Sequence, residues 1–163
     1  MFLGRGKSTL ESRKFVDAKI KRSIADQAEQ SDQRTLALWA ADCADRALAC
    51  FEGERPEDLR PRLAIEAARA WVRGEVSMAA ARAAAFAAHN AAREAGHASA
   101  SAAARAAGHA AATAHVAGHA AHSATYAAKA MAYASGDAET ARAKTELERQ
   151  WQLRRLLELG GNR

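Results

Sequence analysis

The stretch that decides the fold is RAAGHAAATAHVAGHAAHSATYAAKA, residues Arg105 to Ala130. Alanine is the best helix former, so the stretch is predicted to be helical, with two unlike faces at about 100° per residue. One face is polar and contains Gly108, Ala111, His115, His119, His122, Tyr126 and Lys129. The opposite face is nearly all alanine and contains Ala103, Ala106, Ala110, Ala114, Ala117, Ala121, Ala124, Ala128 and Met131. Because alanine lets a partner helix approach closely, we expect close packing on the second face and polar contacts on the first.

The helical pattern around this stretch is longer than a compact domain allows. It runs from about Ala98 to Ala134, and a straight helix of that length would span about 54 Å. A chain of 163 residues folds into a globule only roughly 40 Å across. The helix must therefore protrude, kink or break, and we place that event at Gly118.

The rest of the chain also favours helices. It has only two prolines and ten glycines, and no segment alternates apolar and polar residues as a strand does. Ser31 or Asp32, Asp58 and Ser77 are predicted N-caps, and Gly74 is a predicted C-terminal stop. The further helices are predicted at about residues 9–30, 31–52, 58–73, 77–95 and 138–159.

These patterns predict an all-α fold, a compact bundle of about six or seven helices with alanine-rich close packing. Residues 1–30 are predicted to form a charged helical arm, which could pack on the body or stand away from it. Residues 31–163 are predicted to form one helical-bundle domain, since the chain is long enough for a single core.

The two cysteines and the lack of long apolar runs predict the compartment. Cys43 and Cys50 are seven residues apart on one predicted helix, which separates their Cα atoms by about 10.5 Å. That distance is too long for a disulfide, so we expect small core residues in a reducing environment. No signal peptide and no apolar run of about 18 residues is visible, which predicts a cytoplasmic protein with no membrane association.

The charge leaves nucleic-acid binding open as an alternative. The formal net charge is +5 and the pI is about 9.6. Four of the lysines, Lys7, Lys14, Lys19 and Lys21, lie near the start of the chain. A diffuse positive field attracts acidic partners of any class, and no zinc finger or recognition helix accompanies it. A basic nucleic-acid-associated protein is therefore the second hypothesis.

A histidine-based metal site is the third hypothesis. His115 and His119 are four residues apart, a spacing that lets two imidazoles bind one cation from a helix. No acid lies between them, and a third ligand would have to be His122 or a carboxylate such as Asp42 or Asp45. The alternative is that the histidines fill polar gaps left by alanine. We predict no catalytic residue, no cofactor and no resident metal, because no signature joins a nucleophile to a base.

Four segments together resemble a known family. They are WAADCADRALACFE (Trp39–Glu52), DLRPRLAIEAARAWVRGEVS (Asp58–Ser77), ARAAGHAAATAHVAGHA (Ala104–Ala120) and ERQWQLRRL (Glu148–Leu156). They look like the small all-helical immunity proteins found beside bacterial polymorphic toxins, and the resemblance covers about residues 36–157. It implies a non-enzymatic protein that binds and neutralises a cognate toxin domain. Because the chain is basic, the partner should present an acidic surface, or contact should fall on a locally acidic patch.

The resemblance also implies a polar cluster that combines Asp42, Arg60, Arg62, Arg69, His109, His115 and His119. Arg46, His122 and Tyr126 complete the set of predicted binding residues. Arginine and aspartate are costly to bury singly, so we expect them to be paired. The cluster either lines a surface that recognises a partner or fixes the register of helices inside the bundle.

Overall fold

The fold is all-α, as predicted. The computed structural model describes residues 14–161, and within this range the chain forms seven α-helices and no strand. The helices are α1 (Lys21–Glu29), α2 (Gln33–Glu52), α3 (Arg60–Val72), α4 (Met78–Glu94), α5 (Ala98–Ala112), α6 (His119–Tyr133) and α7 (Ala138–Gly161). Among these seven helices, none combines the length and the apolar character that a membrane crossing requires.

The N-terminal segment differs from its prediction. Residues 9–13 of the predicted first helix lie outside the described residues, and residues 14–20 are not helical, so α1 begins only at Lys21. Asp17 explains the difference, because its carboxylate accepts a hydrogen bond from the amide of Ala18 and also pairs with Arg149 of α7. These bonds hold the backbone in a non-helical turn. The segment crosses to α7, and α1 also packs on that helix.

Local capping chemistry fixes the starts of the middle helices. The Asp32 carboxylate accepts the Thr35 amide at 2.8 Å at the start of α2, and the Ser77 hydroxyl accepts the Ala80 amide at 3.0 Å at the start of α4. Both caps were predicted. Asp58 is not the N-cap of α3, since Leu59 holds that position, but its carboxylate accepts the Arg60 amide at 3.1 Å.

The predicted long helix is broken into two, and its break begins earlier than predicted. α5 ends at Ala112, a connection follows over residues 113–118, and α6 folds back against α5. The hydroxyl and the backbone amide of Thr113 both donate to the His109 carbonyl, at 2.9 and 3.1 Å, and after Thr113 the amides of Ala114 and His115 donate to carbonyls only three residues back, as the tighter last turn of a helix does. Because of this turn the predicted polar face is not one helix face. His115 lies in the connection, whereas His119 lies on α6.

The core is built around α5. This helix contacts α2, α3, α4 and α6, and most of its residues are buried alanines. The hydroxyl of Ser123 on α6 is within hydrogen-bonding distance of two carbonyls, Ala106 on α5 at 2.8 Å and Ala40 on α2 at 3.2 Å. Small side chains therefore allow close contact among three helices, and one buried hydroxyl satisfies backbone groups between them.

The last helix packs through polar side chains rather than through an apolar stripe. Its buried residues are Thr145, Glu148, Arg149, Gln152 and Leu156. Gln152 is fully buried, and its amide donates to the Ala124 carbonyl at 2.8 Å. The indole N–H of Trp39 donates to the Gln152 carbonyl at 2.8 Å. The apolar side chain of Leu147, by contrast, is 66% exposed.

Candidate functional site

The residues predicted to form one polar cluster lie in separate places. One group lies at a cleft where α2, α3 and α7 meet, which we call the charged cleft; it comprises Asp42, Asp45, Arg46, Arg69, Trp151 and Arg155. A second group, the histidine cluster, comprises His89, His109, His115, His119, His122 and Tyr126. Arg60 and Arg62 belong to neither. Arg60 pairs with Asp58 and Glu94, and Arg62 pairs with Glu52. The prediction of a single cluster was therefore wrong, because these arginines find nearer carboxylates.

Asp42 is the centre of the charged cleft. Its Oδ1 accepts a hydrogen bond from Nη2 of Arg69 on α3 at 2.9 Å, and its Oδ2 accepts one from Nε of Arg155 on α7 at 2.8 Å. Nη2 of Arg69 also reaches Asp45 at 3.2 Å. One carboxylate thus joins three helices, and the hydrogen bond that Arg155 donates to Asp42 raises the pKa of Arg155.

Arg46 forms the other half of the cleft. Its Nε and Nη2 donate to the two carboxylate oxygens of Glu148 at 2.8 and 3.0 Å, a bidentate pair. The guanidinium carbon lies 4.1 Å from the centre of the Trp151 ring, within cation–π range. Glu148 is buried, but 40% of the Arg46 side chain is exposed. The buried carboxylate of Glu148 therefore fixes the position of the Arg46 guanidinium, while part of the Arg46 side chain stays accessible to solvent.

The chemistry of the charged cleft suits recognition of a carboxylate or a carbonyl. A guanidinium has five N–H donors, and the ion pairs with Asp42 and Glu148 use only some of those of Arg69, Arg155 and Arg46. Arginine and tryptophan are the residue types enriched at the energetic centres of protein interfaces.

His109 is the centre of the histidine cluster. Its ring centroid lies 4.8 Å from that of His89 on α4, and 5.2 and 5.3 Å from those of His119 and His122 on α6. The Tyr126 ring stacks on it at 5.4 Å with an interplanar angle of 9°. His115, in the connection, lies 5.2 Å from His119. The break between α5 and α6 thus brings together histidines that a straight helix would have separated.

Burial lowers the pKa of three imidazoles of the histidine cluster. Burial, together with the neighbouring histidines and Arg105, lowers the pKa of His109 from 6.5 to about 3. Burial also lowers the pKa of His89 and of His119. Nδ1 of His109 and Nδ1 of His119 are 3.0 Å apart, so one ring donates to the other in the neutral state. Within residues 14–161, the buried Nδ1 atoms of His89 and His115 have no hydrogen-bond partner.

Gly108 makes the approach of His89 possible. A Cβ atom placed on Gly108 would lie 2.7 to 2.9 Å from three atoms of the His89 ring, closer than side chains pack. Only glycine lets α4 bring an imidazole onto α5 at this point. Sequence reasoning missed His89, although the pair Gly108–His109 beside an alanine-rich face was a signal of close approach. It also missed Arg155, for which the sequence contains no signal.

The chain was also compared with known proteins. A family model described as "Imm-5 like putative immunity protein" matches residues 26–159. The chain belongs to this family. The match, which agrees with the resemblance found in the sequence, includes every residue of the charged cleft and of the histidine cluster. No curated protein and no solved structure matches the chain in the same comparisons.

Both cysteines are free thiols within the helical bundle. Cys43 is fully buried, and burial raises the pKa of its thiol well above the usual value. Cys50 is half-buried, with its sulfur 3.9 Å from the Ala130 carbonyl. As the side chains stand in residues 14–161, no three histidine, cysteine or carboxylate groups are placed to hold a metal ion.

Proposed function

We propose that this protein binds a cognate bacterial toxin domain in the cytoplasm of the producing cell and neutralises it through protein–protein contact, without catalysing a reaction. The observation that carries the proposal is the immunity-family match over residues 26–159. A protein of this kind needs a preformed surface rather than a reaction centre. The bundle supplies such a surface, because side chains from three packed helices hold the charged cleft in place.

The charged cleft is the surface we assign to the toxin. Its arginines Arg46, Arg69 and Arg155 have side chains that are 40%, 30% and 34% exposed, so each has donors free to meet a partner. Their positions are fixed before binding, which lowers the entropy lost when a partner docks. The remaining N–H groups can donate to oxygen acceptors, so the toxin should contact the cleft with carboxylate or carbonyl oxygens.

The histidine cluster supports the bundle in this proposal. His109 on α5 is half-buried among rings from α4 and α6, with the Tyr126 ring stacked on it, so this one side chain contacts both neighbouring helices. We therefore favour the second of the two roles expected from the sequence, in which the histidines fix how α4, α5 and α6 pack.

Nucleic-acid binding gains no support from the arginines of the helices that form the charged cleft. Helices α2, α3 and α7 contain nine arginines, and six of them form ion pairs with carboxylates: Arg46, Arg60, Arg62, Arg69, Arg149 and Arg155. Each pair cancels positive charge that a phosphate backbone would otherwise attract.

The test is whether the protein protects cells from a candidate toxin, sought first among the genes beside its own. Co-expression with that toxin should restore growth, and the purified proteins should form a complex in isothermal titration calorimetry. Arg46→Gln and Arg155→Gln should weaken the complex at least about tenfold, since buried charge-assisted bonds at interfaces are worth 2 kcal/mol or more. Arg73→Gln is the control, because Arg73 pairs with Glu75 in an exposed turn outside the cleft.

Different outcomes of this experiment test the proposed function and the proposed interface. Absence of both protection and complex formation would overturn the proposed function. A complex that forms normally but is as tight with Arg46→Gln and Arg155→Gln as with the wild type would overturn the charged cleft as the interface.

A further inference from the structure

We propose that the face formed by α4, α5 and α6 binds a single-stranded nucleic acid. This face is a different part of the molecule from the charged cleft, and the inference goes beyond the proposed function and does not depend on toxin binding. It rests on four cations of these helices that have no carboxylate partner within residues 14–161, namely Arg82, Arg93, Arg105 and Lys129.

These three helices differ from the rest of the chain in their charge. Residues 78–133 contain the four cations but only one carboxylate, that of Glu94 at the end of α4. Glu94 pairs with Arg60 of α3, so a cation outside the face already balances it. Residues 78–133 therefore contribute three of the five net positive charges of the chain. Most arginines of α2, α3 and α7 are paired, whereas none of those on α4 and α5 is, within the described part of the chain.

The cations of α4 and α5 share one surface. After its first turn, α5 exposes only a line of residues at four-residue steps, which includes Arg105 and His109. The His109 ring contacts rings of both α4 and α6, so this line lies between those two helices. Burial, with the charges of Arg105 and Arg93, lowers the pKa of His89 on α4, which places both guanidinium groups near that ring. Arg82 precedes Arg93 by three turns of α4 and is exposed on the same side.

An exposed aromatic ring accompanies these cations. Phe86 is 57% exposed, and the guanidinium carbon of Arg82 lies 5.4 Å from the centre of its ring. On α6, Nζ of Lys129 lies 4.9 Å from the centre of the Tyr126 ring. Proteins that bind single strands combine cations, which meet the phosphates, with aromatic rings, on which bases stack. The base faces of a duplex already stack on one another, so this combination favours a single strand.

A face with one sign of charge fits nucleic acid better than protein. Interfaces with nucleic acid are much more positively charged than interfaces between proteins, whose centres are depleted of charged residues. About four phosphate contacts support only weak binding, and we expect a dissociation constant on the order of 10⁻⁴ to 10⁻⁶ M at physiological salt.

The experiment is a salt titration of oligonucleotide binding by the full chain, measured by fluorescence anisotropy. The probes are labelled single strands of DNA and of RNA, each about 12 nucleotides long. If about four phosphates are neutralised, a plot of log binding constant against log salt concentration should have a slope of about −3. Both probes should bind alike, because phosphates and base faces are common to them.

Two double variants of equal net charge test the role of the cations. Arg82→Gln/Arg93→Gln removes two phosphate contacts, so the slope should become about −1.5. Arg62→Gln/Arg73→Gln is the matched control, because these exposed arginines pair with carboxylates on another part of the surface. The control removes the same charge from the chain but should keep a slope of about −3.

A second pair of variants tests the role of the aromatic ring. Phe86→Ala should weaken binding at least about fivefold, since loss of a stacking ring removes the contact with one base, and should leave the slope unchanged. Leu147→Ala is the matched control, because Leu147 is an apolar side chain of α7 that is 66% exposed. It should bind the probes as the wild type does.

Four results would overturn the proposal. They are no binding by the wild type at about 50 mM salt, equal slopes for the two double variants, equal affinities for Phe86→Ala and Leu147→Ala, and competition by poly-L-glutamate as strong as that by unlabelled oligonucleotide. The last result would assign the face to an acidic protein surface instead. Circular dichroism establishes that each variant is folded, and the substituted side chains are all exposed. None of these measurements involves the toxin.

Discussion

Asp17 and Arg149 form an ion pair that joins the N-terminal segment to the middle of α7. Nε of Arg149 donates to Oδ1 of Asp17 at 2.9 Å, and Nη2 donates to Oδ2 at 2.8 Å. Arg149 is only 4% exposed, and it also donates to the side chains of Thr125 and Gln152. The family match begins at residue 26, so the carboxylate that neutralises this buried cation comes from outside the matched region.

Loss of this carboxylate should destabilise the whole bundle. In Asp17→Asn, Arg149 keeps its burial but loses its counter-ion, and removal of one partner of a buried pair costs about 3–5 kcal/mol. We expect the lower end of that range, about 3 kcal/mol, because Thr125 and Gln152 still accept hydrogen bonds from Arg149. Urea denaturation measures the change. Asp26→Asn, at an exposed position of α1, is the control, and equal stability of the two variants would contradict the assignment.

Acid should destabilise the protein through the histidine cluster. The pKa of His109 is about 3 in the folded protein, below the value of 6.5 for a free side chain. Below pH 6.5 the unfolded chain therefore binds a proton that the folded chain does not, so stability is highest above that pH and falls as the pH drops toward 3. His89 and His119 act in the same direction, because their pKa values are also lowered.

Thermal unfolding between pH 7.5 and pH 5 measures this effect. We expect the midpoint to fall across the range, and to fall less in His109→Gln, which has no imidazole to protonate in the unfolded state. His97→Gln is the control, since His97 is exposed outside the cluster. The same slope in all three proteins would show that the cluster does not sense the pH.

The sequence was enough to predict the features that depend on local chemistry. The caps at Asp32 and Ser77 and the stop at Gly74, which has a φ of 74°, follow from the preferences of single residues. The all-α fold class was predicted from the high alanine content. Contacts between segments distant in sequence were harder to predict. Alanine occurs on every side of α5, so the helix lacks the contrast between apolar and polar faces that usually shows which face is buried.

The break between α5 and α6 shows how this uncertainty affects the site. A single helix would place His115 and His119 on one face and leave His109 elsewhere. The turn that begins at Thr113 instead brings His109 within 3.0 Å of His119, measured between their Nδ1 atoms. The sequence singled out the histidines by residue type, but their geometry depends on a hairpin whose turn has only a weak signal in the sequence. The partners of Asp42 depend on α7 in the same way, since Arg155 is remote in sequence.

The contact between Gly108 and His89 should make an alanine at position 108 unfavourable. Alanine in a helix is favoured over glycine by about 1 kcal/mol. Its Cβ would lie within 2.9 Å of the His89 ring, and overpacking of this kind costs about 1–3 kcal/mol. We expect a net loss of about 1 kcal/mol in Gly108→Ala, measured by urea denaturation. Gly96→Ala is the control, since no atom lies within 4 Å of its added Cβ; a Gly108→Ala variant as stable as this control would contradict the close approach.

The small side chains of α5 should be as hard to enlarge as large core residues are to remove. Ala103 is fully buried on α5, which packs against four other helices. In Ala103→Leu the three added carbons have no space, so we expect a loss of about 1–3 kcal/mol in urea denaturation. Ala79→Leu on α4 is the matched control, because Ala79 is exposed and leucine is nearly as good a helix former as alanine. Equal stability of the two variants would mean that α5 has room to spare, and that alanine serves helix formation here rather than close packing.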